Sequence, residues 1–503
     1  MVFNSLSYLI FFPVTVLIYF LLPWQRVRNI FLLIVSYFFY MCWNPTYIIL
    51  MFGCTLITYT DAIFIDIAQR EKKEHVSKTL RHTGPQIAYV IVTLCTMIAV
   101  LIWFKYANFL TGSLTALFEL FGITFTIPKV DVLLPVGISF YTFQALSYVI
   151  DVYRGTVKAE KNLLKYMLFV SFFPQLVAGP IERSGHLLEQ FTDKHSFDVE
   201  RVSRGLMMML WGYFIKVVIA DRAAILVDQV FNYYTAYTGL IPVIATMFFG
   251  IQIYCDFAGY TNIAIGSAQV LGFDLMQNFT QPYLATSVAE FWRRWHISLT
   301  TWFRDYIYYP LGGNRKGTFR HYRNIMIVFL VSGLWHGAAW TYVLWGGMNG
   351  AYQIIGKMLK PMREKVLTVL HVNTASVGHR VVQTLLTFAF VDFAWLFFRA
   401  KDISSALGMI SRTFSEFNPW ILFDGTLYSL GLDAINFWIT LAAIGILFVV
   451  DILHEKGIHI RDGVLRQPLP VRWMVYYAAG WVILILGVYG PSYNAANFIY
   501  FQF

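Results

Sequence analysis

Charged residues are scarce in this chain of 503 residues. Asp, Glu, Lys and Arg make up only 13% of it, whereas about a quarter of an ordinary soluble domain is charged. Hydrophobic residues make up 58% of the chain and the mean hydropathy is +0.58. This composition excludes an ordinary soluble enzyme and indicates a polytopic membrane protein. We predict an all-α fold of about eleven transmembrane helices together with re-entrant and in-plane helices.

Several other features are missing. The 4 cysteines are each embedded in apolar sequence without a C-x-x-C pair or a nearby His, which argues against a disulfide framework and a metal site. Internal repeats and domain-sized polar inserts are absent, so residues 1–503 are predicted to form a single membrane domain. Without a compact basic domain, the net charge of +10 indicates cytoplasmic loops beside anionic lipid, and no nucleic-acid partner is expected.

The basic residues near the amino terminus predict the orientation of the chain. The first apolar segment has no Lys or Arg before it and is followed by Arg26 and Arg28, the reverse of a cleavable signal peptide. A second basic loop, Gln69–His82, follows two predicted crossings later. Because Lys and Arg concentrate in cytoplasmic loops, both loops are expected in the cytoplasm and the amino terminus outside, in the inner membrane of a bacterium.

A run without Asp, Glu, Lys or Arg extends from Asn324 to Gly356 and contains His336. Such a run is long enough for a membrane crossing, which we expect to include residues 325–345. His336 lies twelve residues after Asn324, which is about 18 Å along a helix and close to the middle of a bilayer. Lipid offers no partner for an imidazole, so this His is either catalytic or held in a protein interior by packing and hydrogen bonds.

A second His lies in the segment "EFWRRWHISLTTWFRDYIYYPLGGNRKG", residues 290–317. Read as one helix, it places Trp292, Trp295 and His296 on an aromatic side and most charged residues on the other. It is too charged to span a membrane. We expect an in-plane helix that presents His296 to the protein, either as a functional group or as part of an interfacial anchor.

Two further polar features stand out. The loop around Arg315 and Lys316 is flexible and cationic, which suits the phosphates of a nucleotide-containing donor, although such loops also stay near anionic headgroups. Asp256 stands in an apolar stretch, where a carboxylate must be paired or protonated, and a structural pairing is expected.

Several stretches together resemble the membrane-bound O-acyltransferase family, in particular its bacterial branch that acts in alginate O-acetylation and teichoic-acid D-alanylation. The resemblance runs in order over nearly the whole chain and rests on "LLPVGISFYTFQALSYVIDVYRG", "FPQLVAGPIER", "IQIYCDFAGYTNIAIG", "FWRRWHISLTTWFRDYIYYPLGGNRKG", "VSGLWHGAAWTYVLWG" and "NFIYFQF".

The resemblance implies a helical fold with a funnel and a tunnel, and a catalytic role for His336 with His296 as the second motif position. It implies a thioester donor such as acetyl-CoA that enters from the cytoplasm, and a hydroxyl acceptor outside. Residues 290–345 are then the catalytic core segment, with Arg315 and Lys316 as candidates for holding donor phosphates. Members of this branch commonly pass the acyl group to an extracytoplasmic esterase-type protein of the Ser-Gly-Asn-His class.

We therefore expect an O-acyltransferase that acetylates an exopolysaccharide or cell-wall polymer. A proton-coupled transporter or channel that uses an intramembrane His is the alternative, but it predicts inverted repeats that are not visible in the sequence. A catalytically inactive scaffold for another membrane protein is a third possibility.

Overall fold

The structure is a computed structural model that describes residues 1–75, with side chains to residue 70, and residues 84–124, 128–489 and 498–499. The regular secondary structure of these residues is helical, apart from one isolated β-bridge. The predicted all-α fold is confirmed. Part of the basic loop Gln69–His82 and most of the terminal motif "NFIYFQF" lie outside the described residues.

The chain divides into two compact units. The first consists of Met1–Leu206 and Ala264–Met276. Its helices are α1 (Leu6–Leu21), α2 (Gln25–Met41), α3 (Tyr47–His75), α4 (Gly84–Leu101), α5 (Ala107–Leu120), α6 (Ile138–Arg154), α7 (Leu163–Ser171), α8 (Phe173–Leu176) and most of α9 (Val199–Tyr213).

The second unit consists of Met207–Ile263 and Gln277–Phe503. It contains α10 (Asp221–Asn232), most of α11 (Leu240–Leu271), α12 (Val288–Arg294), α13 (Ile297–Phe303), α14 (Thr318–His336), α15 (Trp340–Met358), α16 (Lys360–Val369), α17 (Val377–Arg399), α18 (Ile403–Thr413), α19 (Ala434–Glu455), α20 (Ile460–Leu465) and α21 (Leu469–Leu486). Short π-helical turns join several of them, including Phe214–Ala220 and Arg304–Tyr308.

Six helical stretches of the described residues are long and apolar enough to cross a membrane, and α1 is a shorter apolar helix. The six are Tyr47–Arg70, Gly84–Leu120, Leu240–Leu271, Val377–Arg399, Ala434–Glu455 and Leu469–Leu486. The chain is thus a multi-pass membrane protein. The predicted number of about eleven crossings stays a prediction, since several apolar helices of the described residues are short or flanked by charges.

Two local predictions are wrong. Residues 325–345 are not one crossing, because α14 ends at His336 and α15 begins at Trp340. The segment from residue 290 is not one in-plane helix, because α12 ends at Arg294 and α13 begins only at Ile297. Both breaks fall at the two candidate histidines.

The predicted pairing of Asp256 is confirmed within the second unit. Its carboxylate lies 2.6 Å from the Lys216 ammonium, which also contacts Asp221 at 2.6 Å. The backbone N–H of Ile499 donates to the other carboxylate oxygen of Asp256 at 2.8 Å. All three charged side chains are buried, so the pairing satisfies ions that would be costly to bury alone.

Candidate functional site

A helical hairpin carries the first candidate residue. Its arms, α14 and α15, are joined by the three residues from Gly337 to Ala339. His336 is the last residue of α14 and therefore lies at the hairpin tip. Twelve residues separate it from Asn324, so the tip lies about 18 Å along the helix from that position. The predicted depth of His336 in the bilayer stays a prediction, and the structure shows that the chain turns back just after this residue.

Glycines allow the two arms to approach closely near the tip. A Cβ atom on Gly333 would lie 2.2 Å from the carbonyl oxygen of Tyr342, and one on Gly346 would lie 2.3 Å from that of Phe329. Real Cβ atoms do not approach that closely, so only glycine fits either position without a shift. Small residues at helix contacts in membranes serve the same purpose. The hairpin tip is thereby held by backbone packing.

The second candidate, His296, lies between α12 and α13 in a left-handed backbone conformation with φ 44° and ψ 53°. Few residues other than glycine adopt it, at a cost of roughly 1–3 kcal/mol. Backbone pairing with the preceding loop supports it, because the N–H of Thr280 donates to Arg294 at 3.0 Å and that of Ile297 donates to Asn278 at 3.0 Å. Strained residues held in this way are frequent at functional sites.

Side-chain contacts also support this conformation of His296. The Asn278 amide oxygen accepts a hydrogen bond of 2.6 Å from the Ser298 hydroxyl, and its amide nitrogen lies 3.4 Å from the Thr261 hydroxyl on α11. Phe257, also on α11, packs edge-on against the His296 ring with 4.7 Å between ring centroids. Three segments therefore fix the position of His296.

The two imidazoles lie next to each other. Their ring centroids are 6.2 Å apart and their planes are inclined by 55°. His296 is fully buried and His336 is 4% exposed. Since a hydrogen bond spans about 3 Å between heavy atoms, both rings can contact one small reacting group.

Aromatic side chains enclose the pair. His336 meets Trp335, Trp345 and Phe398 edge-on, with ring centroids 5.0, 5.1 and 5.4 Å away. Trp345 in turn stacks on Trp395 at 5.5 Å. These walls exclude water, and a low-dielectric surrounding strengthens any hydrogen bond made to a developing charge.

Burial also sets the protonation of His296. It lowers the pKa of this imidazole to about 3, because a charged ring would lose its hydration. His296 is thus neutral near pH 7, with one ring N–H donor and one acceptor nitrogen.

Arg315 and Lys316 lie apart from the histidines. Both are exposed in the loop before α14, and the 19 residues of α14 separate the ends of this helix by about 27 Å. The buried Asn324 holds this loop, since its amide donates to the carbonyl oxygens of Leu311 and Gly313 at 3.2 and 3.0 Å. The predicted site residues therefore form two groups, at opposite ends of α14.

One cluster beside the loop escaped the sequence analysis. The ring nitrogens of His321 contact the Tyr308 hydroxyl at 2.6 Å and the Lys357 ammonium at 2.8 Å. Lys357 ends the other arm of the hairpin, so only knowledge of the turn at Gly337 could have brought these residues together.

Comparison with known proteins identifies the fold. The model of the membrane-bound O-acyltransferase family matches residues 159–391. The chain is 40% identical to a probable alginate O-acetylase of Pseudomonas aeruginosa over 84% of this chain and 76% of the relative. It is also 32% identical to a peptidoglycan O-acetyltransferase of Helicobacter pylori over 80% and 77%. The chain belongs to the membrane-bound O-acyltransferase family. A teichoic acid D-alanyltransferase of Bacillus subtilis is more distant, at 24% identity over 53% of this chain and 68% of the relative.

Membership makes the protein an acyltransferase that requires an acyl donor. Among the residues that the structure describes, no group of three or more His, Cys, Asp or Glu side chains is placed to hold a metal ion. In this member of the family, two histidines lie together at a hairpin tip, and a cationic cluster lies at the other end of the hairpin.

Proposed function

We propose that this protein transfers an acetyl group from a cytoplasmic thioester, acetyl-CoA, to a hydroxyl of an extracytoplasmic exopolysaccharide or cell-wall polymer. The observation that carries the proposal is the contact of His296 and His336 inside an aromatic enclosure. The acetyl group and the class of acceptor are supported by the relatives named for alginate and peptidoglycan O-acetylation.

His336 acts as the general base. Its ring nitrogen takes the proton from the acceptor hydroxyl while the oxygen attacks the thioester carbonyl carbon. The new C–O bond forms, the C–S bond breaks, and the proton passes from His336 to the departing thiolate. Protons balance within the site, so the reaction needs no proton from either side of the membrane.

His296 stabilises the transition state. A neutral imidazole can donate its N–H to the oxygen that becomes negative as the carbonyl is attacked. Its strained but supported backbone keeps the ring in place before the substrate arrives, which avoids a reorganisation cost during the reaction.

The hairpin supports a donor that enters from the cytoplasm. The outer ends of its two arms lie side by side, since His321 contacts Lys357, and both carry cations, with Arg320 and Arg323 at one end and Lys357 at the other. Cationic ends favour the cytoplasmic face, with the amino terminus of the chain outside and the protein in the bacterial inner membrane. Arg315 and Lys316 at this face are suited to contact donor phosphates.

The acceptor requires a partner. The residues between the described helices form no domain-sized extracytoplasmic insert that could hold a hydrated polymer. We therefore include in the proposal an esterase-type protein of the Ser-Gly-Asn-His class that relays the acyl group outside. Its serine hydroxyl and a polymer hydroxyl are equivalent acceptors for His336.

An assay in proteoliposomes tests the function. Purified protein is supplied with acetyl-CoA on the loop side and a soluble polysaccharide or the partner protein on the other, and release of free CoA is measured. The expected result is CoA release that depends on the acceptor. Flux of protons or solutes that does not depend on the acceptor, without CoA release, would instead support the alternative function of a proton-coupled transporter or channel.

A further inference from the structure

The end of the hairpin opposite His336 contains an unusual concentration of positive charge. We define the hairpin foot as residues 304–323 and 355–360, together with Arg293 of α12. Six cations here have no carboxylate within ion-pair distance among the residues that the structure describes: Arg293, Arg315, Lys316, Arg320, Arg323 and Lys357.

The carboxylates in and near the hairpin foot form ion pairs with cations other than these six. Glu290 pairs with Arg294 at 2.6 Å, Asp305 with Arg304 at 2.9 Å and Glu364 with Lys360 at 3.7 Å. Clustered like charges repel each other and raise the free energy of the fold unless an anion compensates them. The hairpin foot is therefore electrostatically suited to an external anion.

The cluster of Tyr308, His321 and Lys357 has hydrogen-bond directions that follow from its chemistry. Lys357 is a pure donor, so it donates to Nε2 of His321. A neutral ring then carries its proton on Nδ1, which donates to the Tyr308 oxygen. This leaves the Tyr308 O–H and two Lys357 N–H groups to point away from the cluster, as donors for a ligand.

The electrostatic surroundings agree with this arrangement. Burial and the neighbouring Arg293 charge lower the pKa of Lys357, while burial and Lys357 lower that of His321. His321 therefore stays neutral, as the hydrogen-bond directions require, and Arg293 adds positive charge in the neighbourhood of Lys357.

We infer that Tyr308 and Lys357, with His321 as the residue that orients them, form a phosphate site for the phosphorylated end of a pantetheine thioester, and that the nearby Arg293 adds to its positive potential. This inference rests on the proposed function and assigns the anchoring role to residues other than Arg315 and Lys316. Those two lie on the exposed loop and add to the local positive potential.

The length of the hairpin fits such a donor. His321 and His336 are fifteen residues apart on α14, which is about 22 Å along the helix axis. An extended pantetheine arm is comparable to a chain of about four residues, so its sulfur and first phosphate are roughly 15 Å apart. The two lengths are of the same order, so a donor whose phosphates are held at the foot can extend toward His336.

The test compares two donors. Acetyl-CoA carries the phosphates, whereas S-acetyl-N-acetylcysteamine has the same thioester without them. For Lys357→Ala we expect KM for acetyl-CoA to rise about ten-fold or more with little change in kcat, because a charge-assisted hydrogen bond is lost. Tyr308→Phe should give a smaller rise. The use of S-acetyl-N-acetylcysteamine should not change in either variant.

Matched controls separate a site from a general charge effect. Lys360→Ala removes an exposed cation that pairs with Glu364 and should leave KM for acetyl-CoA unchanged. Lys357→Arg should restore much of the affinity. Binding of CoA itself, measured by calorimetry in detergent, should weaken in Lys357→Ala and not in Lys360→Ala, even if the smaller donor proves too poor to assay.

Each opposing result is distinguishable. A Lys357→Ala variant that loses both donors equally, or that binds CoA as tightly as the parent protein, overturns the site. A lipid headgroup is the other source of phosphate: an effect present in vesicles with anionic lipid and absent in vesicles of phosphatidylcholine alone would assign the cluster to lipid and overturn the donor site. If the unmodified protein uses neither donor, the proposed function fails instead.

Discussion

At the scale of single residues, the two histidines differ in how the backbone holds them. His336 ends a regular helix, whereas His296 occupies a left-handed position that few residues other than glycine adopt. His336 is therefore placed by the packing of its hairpin and His296 by a local loop. The consequences of changing them should differ accordingly.

Replacing His336 with Ala should abolish transfer while the protein remains folded and inserted. Loss of a general base lowers the rate by roughly 10²- to 10⁴-fold, and the ring contributes edge contacts to its aromatic neighbours without being the largest group among them. Turnover of acetyl-CoA and the melting temperature in detergent are the measurements. Near-normal turnover in the purified variant would remove His336 from the mechanism.

Replacing His296 should lower kcat more than it raises KM, because the proposed contact forms in the transition state. His296→Asn is the sharper variant, since Asn tolerates the left-handed backbone and lacks the ring. With the His296 pKa at about 3, the ring is neutral above that pH, so the variant should keep the pH profile of the parent at pH 5–9. A change confined to KM would make His296 a binding residue.

At the scale of elements, the hairpin decides the geometry of the site. A charge-free run is equally consistent with one crossing and with two shorter helices that turn back. The sequence contains the glycines that allow the turn, but their effect depends on which carbonyl groups face them across the hairpin. For this reason the sequence motif could single out His336 as a candidate, while the hairpin tip and the Tyr308 cluster could not be predicted.

Gly333 should be intolerant of even a methyl group. Gly333→Ala places a Cβ 2.2 Å from the Tyr342 carbonyl oxygen, and such overpacking typically costs about 1–3 kcal/mol. We expect a lower melting temperature and reduced turnover, because the arms that carry His336 must separate. Gly347→Ala is the control, since its Cβ would meet only a Leu330 side-chain carbon at 3.6 Å. Equal tolerance of both variants would contradict the close approach.

The break between α12 and α13 also depends on a contact with a distant part of the chain. The aromatic residues from Trp292 onward do follow a helical period. A continuous helix through residue 296 would, however, break the β-bridge between Phe279 and Trp295. Local propensity alone could not reveal this competition, because Phe279 lies sixteen residues before Trp295 in the chain. Long-range backbone pairing therefore overrides the helical pattern.

At the scale of the whole molecule, the sequence predicted the helical fold and the family, because composition and ordered motifs extend along most of the chain. It did not predict that the described residues fall into two compact units. The expectation of one membrane domain stays a prediction, as do the orientation and the extracytoplasmic relay.

Cysteine labelling tests the orientation. In a background without the 4 native cysteines, Thr318→Cys and Leu370→Cys should react with a membrane-impermeant reagent only from the cytoplasmic side, since they flank the two ends of the hairpin and precede α17. Phe423→Cys, at a position that is 90% exposed beyond α17, should react only from outside. Labelling of Thr318→Cys in intact cells would reverse the assignment.

The relay is tested by expressing this chain alone and together with an esterase-type partner. Polymer acetylation should require both, because the acetyl group must leave the membrane before it reaches a hydrated polymer. Release of CoA by this chain alone, without polymer modification, would be consistent with the relay. Full polymer acetylation by this chain alone would refute it.

The hairpin also bears on biogenesis. An ordinary pair of crossings obliges the insertion machinery to carry a loop across the bilayer, at a cost that rises with every charge in that loop. Here the connection between α14 and α15 is Gly-Ala-Ala, and the charged residues stay at the side from which the chain entered. The element that carries His336 can thus be inserted as a unit during synthesis without translocating any charge, before α17, which supplies the contact of Phe398 with His336, has been made.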